Sequence, residues 1–497
     1  MLRGGAMEWL FLLSSLLPLA AGATPAVATS IRNRYWSPTS PAGAPRVTIG
    51  APTTLLPSGR RYKLSTEMRY AYHMFLTDYF ERHGGVLVNG TRLGLDAYYL
   101  DDASDPEQAE WAARELVRRF DLRLFLAGYS VSLTDAVAAV VNATGGTQVA
   151  SGASGIGTYA GRPAVFGTLP KPESYAESAL EFLGLADGGA RKGLWFVTQG
   201  PYGRAALSPL CARNNIEFLN VSKLPLAAWE PAMRAAAREI VRADPDIVFL
   251  STSQDMCHAF VRRLWQLEYS PKAFILLTCP AGPEFIQAVG SAGQYVLHVT
   301  PWLPSFSFSG PLTGDWTASS FATRYESLFG VSPSYQVASA FAGVAALVYA
   351  IETANSLDPQ AVAGVLRGMN VGSIFGNVSF DGDGLSNVRM KVTQYQMTEV
   401  PLLLYPCDAC EASLLYPRPN RSLMDCLHNE DIATRYGWMQ ERCVECPLGR
   451  RSRVSGNGTR RLRVCAPCSP GRSGRDTRGA LFCEDCQPGF FSGAGAA

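Results

Sequence analysis

Between residues 46 and 277, short β-branched or apolar runs alternate with longer stretches whose apolar residues recur at helical spacing. No other feature limits the fold as strongly. The alternation predicts strands over 47–49, 93–100, 122–126 and 147–150, with helices over 65–82, 106–120 and 133–142 between them. Strands this short, joined through helices, require right-handed crossovers and give a parallel sheet covered on both faces. The rhythm restarts at 164, with strands over 164–168, 193–198, 216–220, 246–250 and 273–277 and helices over 173–185, 202–213, 231–243 and 255–267. An α/β architecture of two doubly wound parallel-sheet lobes in series is therefore expected. A strand at 295–299, helices over 317–328, 333–354 and 359–369, and a closing strand pair at 378–380 and 392–395 complete it. The uncharged run 337–351 is too short at 1.5 Å rise per residue to cross a bilayer and reads as a buried helix. The predicted limits are lobe 1 at about 45–163 and 300–372 and lobe 2 at about 164–299 and 373–400, within a two-lobed unit 45–404.

The rest of the chain differs in kind. At 497 residues there is room for about three folding units, and nine of the twelve cysteines fall after residue 404: Cys407, Cys410, Cys426, Cys443, Cys446, Cys465, Cys468, Cys483 and Cys486. Whether these are disulfides or metal ligands depends on the compartment. Residues 1–23 carry Arg3, an apolar run broken by Ser14, Ser15 and Pro18, and the small-residue site Ala21-Gly22-Ala23, which together read as a secretory signal peptide. Asn-x-Ser/Thr acceptors at Asn89, Asn142, Asn220, Asn377, Asn420 and Asn457 agree with a secretory lumen. Residues 24–44, rich in Pro, Ser and Ala, read as a flexible leader, and 405–497 as a disulfide-rich stalk cut short after Cys486. A net charge of +2 supplies no global field toward nucleic acid or an acidic membrane. The expected location is secreted or the outer face of the plasma membrane, with a membrane attachment only if a longer form carries an anchor.

In parallel α/β sheets the loops after strand C-termini lead into helix N-termini, whose unpaired N–H groups suit polar or anionic atoms. Here those loops are Ala127-Gly128-Tyr129-Ser130-Val131-Ser132, Ser151-Gly152-Ala153-Ser154-Gly155, Gln199-Gly200-Pro201-Tyr202-Gly203 and Ser251-Thr252-Ser253-Gln254-Asp255. Their serines are either ligand contacts or caps of the helices that follow.

The order of these elements, with Ser151-Gly152-Ala153-Ser154, Tyr202-Gly203, Asp246-Ile247-Val248-Phe249, Arg262-Arg263 and Phe375-Gly376-Asn377-Val378-Ser379-Phe380-Asp381, resembles the branched-chain amino-acid-binding group of type I periplasmic binding proteins over about 45–398. The resemblance implies hinge closure of two lobes on a ligand, and related modules are the sensing heads of class C receptors. It implies ligand contacts at Ser130 or Ser132, at Ser151, Ala153 and Ser154, at Tyr202, and at Ser253 in place of an aromatic. The acid that pairs a ligand ammonium falls near Pro172 or Glu173, and a second falls near Pro280 or Ala281. These departures weigh against a free amino acid.

No catalytic set stands out. Gly152-Ala153-Ser154-Gly155-Ile156 lacks the second glycine of a nucleophile elbow, and Asp381-Gly382-Asp383-Gly384 reads as a turn because the twelfth position of a calcium loop would be Val392. No cofactor or metal is expected. Units such as Cys446-Pro447-Leu448-Gly449 and Cys468-Ser469-Pro470-Gly471 resemble ephrin-receptor-like and tumour-necrosis-factor-receptor-like modules, with bridges Cys446–Cys465 and Cys468–Cys483 guessed from the repeat. A rival joins one tail cysteine to Cys211, Cys257 or Cys279 and leaves the other two to pair. The two-lobed part is expected to rest on its apolar core rather than on disulfides. The first reading is thus a binding protein for a small polar ligand, an amino-acid-like compound or another metabolite, with a homodimer left open. The alternative is a secreted adhesive or structural protein binding glycans through its Arg-rich stalk.

Overall fold

The computed structural model describes residues 45–419 apart from 186–192, 199–203, 226–227, 280–281, 397 and 407–409, together with the strand Arg34–Tyr35 and backbone strands between 436 and 485. The expected signal peptide and most of the leader lie outside these residues.

In chain order the strands are β1 (Arg34–Tyr35), β2 (Arg46–Thr53), β3 (Val86–Val88), β4 (Thr91–Asp101), β5 (Leu124–Leu126), β6 (Thr147–Ala150), β7 (Val165–Pro170), β8 (Leu194–Thr198), β9 (Phe218–Lys223), β10 (Ile247–Ser251), β11 (Ala273–Leu276), β12 (Leu297–Thr300), β13 (Asn370–Ser373), β14 (Gly376–Ser379), β15 (Leu385–Ser386), β16 (Lys391–Gln394) and β17 (Leu402–Tyr405). The helices are α1 (Tyr62–His83), α2 (Pro106–Phe120), α3 (Val131–Ala143), α4 (Ile156–Tyr159), α5 (Pro172–Leu185), α6 (Arg204–Arg213), α7 (Trp229–Ala243), α8 (Gln254–Gln266), α9 (Pro283–Val289), α10 (Ala318–Phe329), α11 (Tyr335–Ala354) and α12 (Pro359–Gly368).

Two sheets result. The first runs β1-β4-β2-β5-β6-β7-β15, parallel from β4 to β15, with β1 and β3 antiparallel to β4. The second runs β17-β16-β12-β11-β10-β8-β9, parallel from β12 to β9 and closed by antiparallel β16 and β17. The chain passes between them three times: after β7, after β12 and between β15 and β16. Three strands joining two lobes are what a hinge requires.

Both lobe limits need correction. The strand read as opening lobe 2 at 164 is β7, which pairs with β6 through Gln148↔Val165 and Ala150↔Gly167 and so belongs to lobe 1. The segment from 373 also starts in lobe 1, because β14 pairs with β13 and β15 with β7. The predicted closing pair does not form either, since β16 pairs with β12 and β17. Periodicity reports that a segment is a strand, not which sheet it joins. At the far end, lobe 2 extends past 404. β17 completes its sheet, and buried Arg418 donates to the carbonyls of Ala292 (2.8 Å) and Gln294 (3.3 Å) and to the Ser270 hydroxyl (2.9 Å), fastening the segment after β17 to it.

Lobe 1 is organised on α11, which is apolar on nearly every side and buried from Gln336 to Val348. By length and composition it could cross a membrane; instead Phe341 packs against Phe75 (5.3 Å), Phe321 (4.8 Å) and Trp316 (6.2 Å). The expectation of a buried helix is met. Lobe 2 is filled from both sheet faces, by Phe249, Ile275 and Leu297 on one and Val248, Phe260 and Phe274 on the other.

The candidate cleft

The first-lobe loops are positioned by close backbone approach. Beyond β5 and β6 the chain passes through Gly128 and Gly152, and a Cβ on Gly152 would lie 3.0 Å from Gly128 O and from Tyr129 Cα. Ser130 N donates to Gly152 O at 3.3 Å, which joins the two loops. Ser130 itself takes φ 112°, a conformation that costs a non-glycine residue of order 1–3 kcal/mol. It precedes α3, yet its side chain caps nothing and lies 3.4 Å from the Ser132 hydroxyl. Ser253 likewise precedes α8 without a side-chain cap, and it is exposed. At both places the capping explanation fails. At neither helix start is the serine hydroxyl spent on a cap, and the first-turn N–H groups of a helix suit an uncharged or anionic polar atom.

The other expected contacts divide. Ser132 is exposed and Ser154 half-buried, so both can meet a ligand. Ser151 and Ala153 cannot do so through their side chains. Ser151 is 0% exposed beneath α11, where a Cβ on Gly343 would come 2.3 Å from its Oγ, and it neighbours the Tyr72 hydroxyl, which donates to Ala127 O at 2.9 Å. Ala153 is 2% exposed and its carbonyl accepts from the Tyr159 hydroxyl at 2.7 Å. The Ala153 contact holds the loop's shape. Tyr202 lies outside the described residues, as do Pro280 and Ala281. Glu173, in the first turn of α5, has a buried Oε2 with no hydrogen-bond partner among the described residues.

Sequence reasoning missed a set of groups that tertiary folding brings together. Arg61, just before α1, donates to Ser104 O at 3.3 Å and acts electrostatically on Tyr129, whose hydroxyl pKa burial raises. Tyr129 in turn neighbours Tyr335 at the start of α11, whose pKa burial also pushes up. The Tyr335 side chain hydrogen-bonds to that of Tyr175. Tyr335 packs on the lobe 1 core and Tyr175 belongs to the lobe 2 core, so this contact spans the lobes. The only advance signal was an aromatic in the loop at 129. Near the same edge, buried Asp102 accepts from the Thr54 hydroxyl at 2.6 Å and from Ser104 N at 2.8 Å, and burial raises its pKa to about 6.

In lobe 2, Cys257 in the first turn of α8 is disulfide-bonded to Cys279, just beyond β11. The bond ties the loop after β11 to the helix that Ser253 introduces. Of the three cysteines before residue 404 it is Cys257 and Cys279 that pair, so the apolar core expected to hold the two-lobed part is joined there by a disulfide. Cys211 is buried and free, which removes it as a partner of the stalk, whereas Cys410 is disulfide-bonded. The bridges guessed for Cys446, Cys465, Cys468 and Cys483 lie outside the described residues; the tail's backbone contributes two small sheets, over 436–467 and 472–485.

Asp381 accepts from Asp383 N (2.9 Å) and Leu385 N (3.0 Å) and pairs with Lys171 (2.8 Å), which also meets Asp383 at 2.9 Å. The motif is a turn that braces the crossing after β7 against the segment leading to the last one. Among the described residues no group of three or more His, Cys, Asp or Glu side chains could hold a metal. Asn89, Asn142, Asn220 and Asn377 are all exposed; Asn420 and Asn457 lie outside the described residues.

Residues 46–399 match the family model of the periplasmic binding proteins. The chain belongs to that family. It is similar in structure to an amino acid ABC transporter substrate-binding protein from Pseudomonas fluorescens, at 17% identity and a TM-score of 0.62, covering 74% of this chain and 100% of that one. A branched-chain amino acid transporter substrate-binding protein from Streptococcus pneumoniae in complex with isoleucine gives 15%, 0.59, 73% and 100%. A solute-binding protein of an ABC transporter from Rhodopseudomonas palustris in complex with 3,4-dihydroxybenzoic acid gives 16%, 0.58, 76% and 99%. At these identities the likeness establishes a two-lobed α/β periplasmic binding fold.

Proposed function

We propose that this protein binds a small polar ligand between its lobes, without chemistry, as the recognition part of an extracellular receptor or as a solute-binding protein. The observation that carries the reading is the pair of helix starts, Ser130–α3 in lobe 1 and Ser253–α8 in lobe 2, whose serine hydroxyls are not spent on caps. Arg61 and Tyr129 add a cation and a phenol on the lobe 1 side. The structural relatives bind isoleucine and dihydroxybenzoate, and what those two share is a carboxylate. A carboxylate-bearing metabolite therefore fits Arg61 and the helix starts. Glu173, with its unpaired carboxylate oxygen, is the residue to receive a cationic group if the ligand carries one. Glycans on Asn89, Asn142, Asn220 and Asn377 would stand on exposed surface.

The test is a thermal melt of the full chain against a library of polar metabolites. A compound bound at 100 times its dissociation constant adds about 2.7 kcal/mol to stability, enough to see as a shift of several degrees. A library of carboxylates that leaves the transition in place throughout would remove this reading.

A further inference from the structure

Away from the cleft, on the outer side of lobe 2, a depression of about 320 Å³ opens between α7 and α8. Met233 and Arg234 line it from α7, and Ala259, Arg262, Arg263 and Gln266 from α8. Three of the six lining side chains are guanidinium groups and none is acidic. The sequence places them there for separate reasons: α7 buries Met233, Ala236, Ala237 and Ile240 and so turns Arg234 and Arg238 outward one turn apart, while α8 buries Cys257, Phe260, Val261 and Leu264. Each arginine is only partly engaged. Arg234 meets Glu230 at 3.6 Å, Arg262 donates to Ala288 O at 2.8 Å, and Arg263 donates through one terminal nitrogen to Gln266 at 3.2 Å. The Arg263 Nε is buried and has no hydrogen-bond partner among the described residues.

We propose that this depression is a second binding site, separate from the cleft, for a tetrahedral oxyanion: a sulfate or phosphate monoester. A guanidinium presents donors in a fixed fork that matches two oxygens of such a group, and three guanidiniums around one depression can engage three. Met233 and Ala259 supply an apolar floor against which the carrier of the ester can rest. The site lies on lobe 2 alone, so it does not depend on hinge closure.

The test is calorimetric titration of the full chain with glucose 6-sulfate, glucose 6-phosphate and, as the neutral control, glucose. Saturable binding of at least one ester is expected, weakening as salt is added, with no binding of glucose; which ester binds more tightly separates a sulfated from a phosphorylated ligand. R234Q and R263Q should each weaken binding roughly tenfold, while S154A, at the cleft, should leave it unchanged. Arg234 is exposed, so R234Q decides the matter should R263Q fold poorly. Failure of both esters to bind, equal binding of glucose, or wild-type affinity in R234Q would overturn the proposal.

Discussion

Below about pH 6.5 the protein is expected to lose stability at close to 1.4 kcal/mol per pH unit through His298 alone. His298, in β12, is 0% exposed; Phe285 packs on it at 4.9 Å and Tyr395 at 5.4 Å. Burial first, and then the electrostatic effect of His258, lower its pKa to about 3, with a backbone group of Cys279 opposing. His258 itself is lowered by burial and by Arg262, with Asp255 opposing. The sign follows from which state takes up the proton. The unfolded chain binds one near pH 6.5 while the folded chain refuses it until about pH 3, so stability is full above the upper limit and falls as pH drops through the window. His73, whose pKa burial also lowers, adds in the same direction. Urea unfolding should show a loss of about 2 kcal/mol from His298 between about pH 7.5 and pH 5. His298→Leu should flatten that slope; a slope as steep in the variant as in the parent would refute the assignment.

The second large effect concerns the Cys257–Cys279 disulfide. Its sequence separation of 22 residues corresponds to about 3 kcal/mol of chain entropy removed from the unfolded state. Both sulfurs are buried in the lobe 2 core, Cys257 at 0% and Cys279 at 3% exposure, so reductant acts only through opening of that lobe. The double variant Cys257→Ala and Cys279→Ala should therefore lower stability by about that amount, with the loss assigned to lobe 2 by hydrogen exchange on β10 and β11. It should also free the loop after β11 and weaken whatever ligand Ser253 helps to hold. Stability within about 0.5 kcal/mol of the parent would contradict this account.

Much of the architecture was legible because local chemistry and burial agree. α2 starts where Asp105 accepts from Glu107 N and Gln108 N and where Pro106 takes the first helical position, and its predicted span matches the observed one. α11 was legible as buried because no polar face interrupts it. The lobe assignment of β7 and β15 was not, because parallel pairing is decided by partners that sequence spacing does not identify. The same division holds at the cleft. Ser130 and Ser253 could be found from a strand followed by a helix. Arg61, Tyr335 and Tyr175 could not, since they meet only through folding of segments far apart in the chain, and the burial of Ser151 depends on Gly343 in a helix almost two hundred residues on.

The central claim is that one ligand touches both lobes. The most direct test titrates the compound found by thermal melting into the parent, into Ser130→Ala and Ser154→Ala on lobe 1, and into Ser253→Ala on lobe 2. Removing one hydroxyl from a ligand contact weakens binding roughly three- to tenfold, and the account predicts such a loss on each lobe, with unliganded melting temperatures unchanged. Loss confined to one lobe, or undiminished affinity in all three variants, would contradict it.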